Sequence, residues 1–162
     1  MLRPVADTSE LYCSGLLEAE YPYGQLRLIG REERGKHLLG TGDVVYMNAG
    51  LNAGIQPGAS YSIVRRGDQV NHPETEKAYG VMVESIGRLE VLAVQQETST
   101  AEIVFACDAV SLGDDLLPYE EMPVPLAEEP TLDRYGSPAP AGPTSVVLYA
   151  RDGKQATGEG NL

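Results

Sequence analysis

Two short motifs place an aspartate directly after a glycine and before an apolar run. They are "GTGD" at 40–43 and "LGDDLLPY" at 112–119. Carboxylates on separate loops form an acid pair when a fold brings them together, and we consider Asp43 with Asp114 or Glu120 as such a pair. The competing interpretation is structural, because an aspartate after a glycine commonly hydrogen-bonds nearby backbone and fixes a turn. We favour the structural interpretation.

Acidic residues cluster in and after the second motif, at Asp114, Asp115, Glu120 and Glu121. Their oxygen atoms are ligands that Ca²⁺ accepts, but the alternating ligand positions of an EF-hand loop are missing. A solvated acidic face is the simpler interpretation. We therefore predict no metal site.

The chain has two histidines, His37 and His72, and neither has a cysteine or carboxylate at metal-ligand spacing. A base near Cys13 or Ser14 would be needed for nucleophilic catalysis, yet nothing in the sequence brings a histidine to them. The G-x-S-x-G nucleophile elbow is also absent. We expect no catalytic residues, no cofactor and no enzymatic activity.

Glycines recur every fourth residue at Gly50, Gly54 and Gly58, with Pro57 beside the last. A P-loop needs Gly-Lys-Ser/Thr after its glycines and a dinucleotide loop needs a following helix, and both are missing here. We therefore predict tight turns between two strands, with a type II turn at Pro57-Gly58. The complete set of predicted turn residues is Gly42, Asp43, Gly50, Gly54, Pro57, Gly58, Gly113 and Asp114.

Two cysteines, Cys13 and Cys107, lie far apart in the sequence. An even pair of this kind fits one disulfide in an oxidising compartment. Two unrelated buried thiols fit the sequence equally well, because the sequence does not give the separation of their Cα atoms.

The 162-residue chain carries 24 acidic and 12 basic side chains, a net charge of −12. Such a surface repels nucleic-acid phosphates and anionic lipid headgroups, and favours a glycan or another protein as partner. No run approaches the ~18 apolar residues that span a bilayer, and the first residues lack a secretory signal. Either the chain works in the cytosol or an upstream export signal has been removed.

Short runs with alternating apolar residues, separated by turn-forming pairs, indicate an all-β fold. Strands are predicted at 24–32, 43–50, 59–66, 77–97 and 100–110. The 77–97 run is one strand, or two strands broken near Ile86-Gly87, and 65–77 is a polar connection. The best helical candidate is 8–20, which Gly15 weakens. We predict a small closed or partly open β-barrel of six or seven short strands, with a sandwich as the main competitor.

The composition changes at Pro118, where prolines and acidic residues become frequent. The motif of Gly35-Lys36 and Gly40-x-Gly42-Asp43 recurs weakly as Gly153-Lys154 and Gly158-x-Gly160-Asn161, which indicates an internal repeat. The predicted organisation is a β-barrel module at 1–117, a Pro-rich acidic linker at 118–143 and the first strand of a truncated second repeat at 144–162. We expect the chain to be a piece of a longer protein.

The order of the motifs resembles a known family. The segments are "GDVVYMNAGLNAGIQPGASYSIVR", "GRLEVLAV", "STAEIVFACDAV" and "LGDDLLPY". This order, from about Tyr12 to Tyr119, is similar to the C-terminal domain of the flagellar assembly protein T and to a related bacterial envelope family with LysM peptidoglycan-binding domains. The resemblance implies export to the periplasm or outer membrane, which favours a Cys13–Cys107 disulfide. It supplies no catalytic residues, and no LysM domain is seen in this chain.

We therefore expect a noncatalytic assembly or anchoring module of a bacterial cell-envelope protein. Its expected contact is a protein partner or a second copy, bound through the strand at 144–150. Peptidoglycan is a partner only through a domain that this chain does not contain. The alternative function is an envelope hydrolase or glycan-binding domain that uses the carboxylates of Asp43 with Asp114 or Glu120.

Overall fold

A computed structural model describes residues 2–128, 142 and 145–150 of the chain. Nine strands and one short helix follow one another in this region, with a single 3-10 turn at Leu51–Ala53. The elements are β1 (Leu2–Pro4), α1 (Thr8–Cys13), β2 (Leu16–Glu18), β3 (Leu28–Arg31), β4 (Val44–Met47), β5 (Ser60–Asn71), β6 (Ala78–Val94), β7 (Ser99–Ala106), β8 (Asp115–Pro118) and β9 (Leu126–Glu128). The predicted all-β class is confirmed.

The main sheet is antiparallel, with the strand order β3-β4-β7-β6-β5-β8, and β2 pairs with the first half of β6. The two outermost strands of this order also approach each other. An isolated antiparallel bridge joins Arg27 to Asp115, and the Leu28 amide donates to the Asp114 carbonyl at 3.0 Å. A closed barrel is not established by the strand order, so the predicted barrel is not confirmed.

One hydrophobic core lies on the inner face of this sheet. Alternate residues of each strand point to the same face, and the buried positions follow that alternation. The fully buried side chains include Val45 and Met47 on β4, Leu89 on β6, and Ala101 and Ile103 on β7. This core positions the turns at the ends of the strands.

The predicted polar connection at 65–77 is wrong over its first half. Strand β5 continues to Asn71 because its backbone pairs with β6, where Gln69 lies opposite Val81 and Val70 opposite Gly80. Val70 is buried in spite of its polar neighbours. Pairing with a partner strand satisfies the backbone whatever the side chains are, so a polar run can remain in a sheet.

The 77–97 run forms one strand, β6, and not two. The register between β5 and β6 shifts where Ile63 faces Gly87 and Val64 faces Ser85, so that Ile86 is an extra residue on β6. A β-bulge bends a strand without ending it. The predicted break near Ile86-Gly87 therefore coincides with a bulge.

The predicted helix at 8–20 is shorter than expected and ends at Cys13. Gly15 has a φ of +72°, a conformation that favours glycine and stops the helix, and β2 follows at once. The capping box at the start of the helix joins Asp7 and Glu10, and no helical residue is buried.

The C-terminal predictions lie mostly outside the described residues. Within the predicted linker at 118–143, β9 pairs with β1 in a separate two-stranded sheet. Residues 145–150, the described part of the predicted strand at 144–150, do not form a strand. The remainder of the predicted repeat, 151–162, is outside the described residues.

Candidate functional site

The two glycine-aspartate motifs form the same kind of turn. In the first, the Asp43 amide donates to the Gly40 carbonyl at 3.1 Å, and the Gly40 amide donates to Asp43 Oδ2 at 2.8 Å. In the second, the Asp114 amide donates to the Ser111 carbonyl at 3.2 Å, and the Ser111 amide donates to Asp114 Oδ2 at 2.9 Å. Each aspartate thus closes its own turn from both the backbone and the side chain.

The preceding glycine makes each turn possible. Gly42 and Gly113 have φ values of +90° and +93°, which L side chains rarely adopt. The two turns also begin side by side, because Leu39 and Val110, the residues immediately before them, form an isolated antiparallel bridge. The motifs that suggested an acid pair are therefore neighbours at the start of their turns.

Asp43 is an ion-paired carboxylate. Lys36 Nζ donates to Asp43 Oδ1 at 2.7 Å. The hydrogen bond from Lys36, followed by that from the Gly40 amide, lowers the pKa of Asp43. A general acid at neutral pH needs the opposite shift, so this environment does not prepare Asp43 to donate a proton.

Asp114 is held by a two-point contact with Arg65. Arg65 Nε donates to Asp114 Oδ1 and Arg65 Nη2 to Asp114 Oδ2, each at 2.8 Å. A further bond runs from Nη2 to the Ala109 carbonyl at 3.1 Å. The Asp114 side chain is only 5% exposed, so the guanidinium compensates for the burial of its charge.

Asp115, the next residue, has a separate set of partners. Arg27 Nε donates to its Oδ1 at 3.1 Å and the Tyr21 hydroxyl to its Oδ2 at 2.6 Å. Burial, followed by the hydrogen bond to Asp115, raises the pKa of Tyr21. Sequence reasoning did not connect Arg27, Arg65 or Tyr21 with these carboxylates, because each lies at least 49 residues from its carboxylate.

The proposed carboxylate pairs are not assembled by direct contacts. Asp43 and Asp114 hold separate cations, and Glu120 and Glu121 are exposed. Among residues 2–128, 142 and 145–150, no group of three or more His, Cys, Asp or Glu side chains is arranged to hold a metal ion.

The glycine series lies between β4 and β5. Gly50 precedes the 3-10 turn, and Gly54 ends it with a φ of +78°. At Pro57-Gly58 the Ala59 amide donates to the Gln56 carbonyl at 3.2 Å, and Gly58 has a φ of +79°, as the third residue of a type II turn requires.

The side chains considered for nucleophilic catalysis have structural partners. His72 Nδ1 accepts hydrogen bonds from the Glu74 and Thr75 amides at 3.1 and 3.2 Å, which caps its own turn. Cys13 is joined to Cys107 by a disulfide with a Cα–Cα distance of 5.6 Å. The thiol of Cys13 is therefore not a nucleophile in this oxidised form.

A cleft of about 810 Å³ lies between α1, the outer face of the sheet and the segment after β8. Its lining includes Tyr12, Arg88, Phe105 and Tyr119. The Tyr119 hydroxyl donates to the Tyr12 hydroxyl, and the Arg88 guanidinium lies 4.8 Å from the centre of the Tyr119 ring. Sequence reasoning missed this site, since Tyr12 and Tyr119 are 107 residues apart.

The described part of the chain is thus a disulfide-linked β-sheet domain in which the ion-paired Asp43 and Asp114 fix turns. Residues 42–111 match the family model described as flagellar assembly protein T, C-terminal domain. The match runs from the first glycine-aspartate turn to the start of the second and includes β4 to β7. The resemblance stated from the sequence to that domain is confirmed over these residues.

Two further findings bear on the class of protein. No curated protein matches this chain at a significant level. In the described ranges, none of the helices has the length and apolar character needed to cross a membrane.

Proposed function

We propose that this chain is a noncatalytic assembly or anchoring module of a bacterial cell-envelope protein, of the flagellar-ring-associated or LysM-associated type. The match of residues 42–111 to the flagellar assembly domain carries this proposal. The ion pairs of Asp43 and Asp114 support it, because both carboxylates are committed to neighbouring cations and turns.

The proposed location is the periplasm or the outer membrane. The Cys13–Cys107 disulfide supports it, because such bonds persist in oxidising compartments and are rare in the cytosol. A domain outside this chain would then make any contact with peptidoglycan.

The proposed contact is a protein partner or a second copy, reached through residues 144–150. Val146 and Val147 are 52% and 71% exposed, which is unusual for adjacent large apolar side chains. A strand exists only when a neighbour accepts and donates its backbone hydrogen bonds, so this segment would become a strand on binding.

We also propose that the main sheet closes into a barrel between β3 and β8. The Leu28–Asp114 hydrogen bond has two companions, from the Gly113 amide to the Leu28 carbonyl and from the Leu116 amide to the Leu26 carbonyl, both at 2.8 Å. Closure would leave neither β3 nor β8 as a free edge. Slow hydrogen exchange at Leu28 and Leu116, comparable with that of β6, would support closure, and fast exchange at both would contradict it.

The assembly function is tested with the exported chain and a matched truncation that lacks residues 143–162. We expect chemical cross-linking in envelope extracts to give discrete adducts with the full chain and to lose them with the truncation, while circular dichroism shows both folded. Unchanged adducts would contradict the contact through 144–150.

The noncatalytic character needs a separate assay with muropeptide substrates. We expect no turnover by the wild-type chain. Turnover that disappears in folded Asp43→Asn or Asp114→Asn variants would overturn the proposal and favour the hydrolase.

A further inference from the structure

Arg88 differs from three other cations near the sheet in its surroundings. Arg65, Arg27 and Lys36 each hold an aspartate at hydrogen-bond distance. Within the described part of the chain, Arg88 forms no ion pair, and its Nε atom is buried without a hydrogen-bond partner. A buried N–H of a charged group without a hydrogen bond lowers the stability of the fold, so the surroundings of Arg88 are unfavourable unless a further acceptor binds near its guanidinium.

Arg88 lies on the floor of the cleft, in a row of cross-strand neighbours. Leu117 on β8 pairs with Ser62 on β5, Ser62 pairs with Arg88 on β6, and Arg88 pairs with Phe105 on β7. The next residue of β6, Leu89, belongs to the core, so the row lies on the opposite, outer face of the sheet. The small Ser62 leaves a depression between its larger neighbours.

The walls of the cleft cover this row only in part. Tyr12 of α1 and Tyr119 stand on one side and are joined through their hydroxyls, and the Tyr119 ring covers one face of the guanidinium. The disulfide fixes α1 to the end of β7, and Cys107 itself lines the cleft. A cleft of about 810 Å³ is within the range of small-molecule sites.

We propose that this cleft binds a small monocarboxylate with an unbranched apolar chain. Its carboxylate pairs with the Arg88 guanidinium, and its chain lies along the outer face of the sheet on the half-buried Val104, Phe105 and Leu117. A charge-assisted bond compensates the charge of Arg88, and burial of the chain supplies the hydrophobic contribution.

The acidic rim restricts the head group to a single negative charge. Glu120 and Glu121 both line the cleft and are exposed. They repel a phosphate ester or another polyanion more strongly than a carboxylate, because the repulsion grows with the charge of the ligand. This ligand site is independent of the assembly function proposed above.

The test compares three probes of equal chain length by isothermal titration calorimetry, below their micelle concentrations. They are octanoate, 1-octanol and octyltrimethylammonium. We expect octanoate to bind at least about tenfold more tightly than the other two, because only it brings a negative charge to the hydrogen bond with the Arg88 guanidinium. Equal or tighter binding of either other probe, or no binding of octanoate at millimolar concentration, would overturn the proposal.

Two arginine variants locate the binding site. Arg88→Met is expected to weaken octanoate binding by about tenfold or more and to leave 1-octanol binding unchanged. Arg66→Met removes an exposed arginine of β5 and is expected to change neither affinity. Equal weakening by both variants would mean a general charge effect and would contradict the site.

A third variant keeps the proposal falsifiable if Arg88→Met does not fold. Ser62→Leu fills the depression and retains the guanidinium, so we expect both octanoate and 1-octanol to bind more weakly. Unchanged octanoate affinity in folded Ser62→Leu, as judged by circular dichroism, would show that the chain does not lie in this cleft.

Discussion

Removal of the Cys13–Cys107 disulfide is expected to destabilise the chain strongly. The two cysteines are 94 residues apart and enclose all strands from β2 to β7. Closing a loop of that length removes entropy from the unfolded chain equivalent to roughly 4–5 kcal/mol at 25 °C in the chain-entropy model. We therefore expect the double variant Cys13→Ala/Cys107→Ala to lose up to that amount of unfolding free energy.

The N-terminal arm, residues 2–18, decides how much of this contribution is observed. Helix α1 has no buried residue, and the two leucines of β2 are about 40% exposed, at 43% and 39%. If the arm detaches once the disulfide is absent, it regains entropy in the folded state and reduces the loss to about 2 kcal/mol, the lower end of the usual range. Fast hydrogen exchange at Leu16 and Leu17 would report this detachment.

The assay is urea unfolding followed by circular dichroism, with hydrogen exchange measured on the same samples. Wild-type protein in reductant, with both thiols titrated, is the matched control and should unfold like the double variant. A loss below about 1 kcal/mol with the β2 amides still protected would refute the reasoning, because closure entropy would then be absent without compensation from the arm.

Three further predictions concern the turns. Asp43→Asn should destabilise the chain at neutral pH but not in strong acid. The pKa of Asp43 is lowered in the folded state, so the stabilisation by its carboxylate is complete above the ordinary pKa and disappears as the pH falls through the lowered value. Urea unfolding midpoints of wild type and variant from pH 7 to pH 2 measure this, and a difference that stays constant with pH would contradict it. Asp114→Ala should lower the free energy of unfolding, measured in urea, by about 2–3 kcal/mol. This is less than the loss for a fully buried ion pair, because the Arg65 side chain is 35% exposed. A loss under about 1 kcal/mol would contradict the prediction. Gly50→Ala should lower the free energy of unfolding by about 1–3 kcal/mol, since its new Cβ would collide with the Gln95 carbonyl oxygen. The control Gly40→Ala should lower it less, because a Cβ on Gly40 would meet open space. Equal thermal midpoints of the two variants would contradict this.

The strand predictions succeeded where the side chains alternate and failed where pairing overrides them. Residues 100–110 alternate with one face in the core, and β7 forms there. The polar end of β5 gives no such pattern, because a long hairpin with β6 supplies its hydrogen bonds. The sequence of β6 indicated an irregularity near Ile86-Gly87, but the pairing with β5 decided that it is a bulge and not a break.

Only the contacts between residues close in sequence were predictable at the candidate site. The turn geometry of Asp43 involves Gly40, three residues away, and a motif of four residues contains all that it needs. The cation that neutralises Asp114 is 49 residues away, and no feature near "LGDD" indicates Arg65. A short sequence motif therefore identifies a turn but not the charged residues that surround it.

The sequence by itself determined the β class, the glycine-dependent turns and the family resemblance of residues 42–111, because these depend on short-range patterns and their order. Only the tertiary structure decided that Cys13 meets Cys107, and that Arg88 lies in a cleft beside Tyr12 and Tyr119 with no ion pair among the described residues. The physical reason is distance along the chain. Contacts between residues a hundred positions apart depend on how the strands pair and where the sheet bends, and no local preference specifies both.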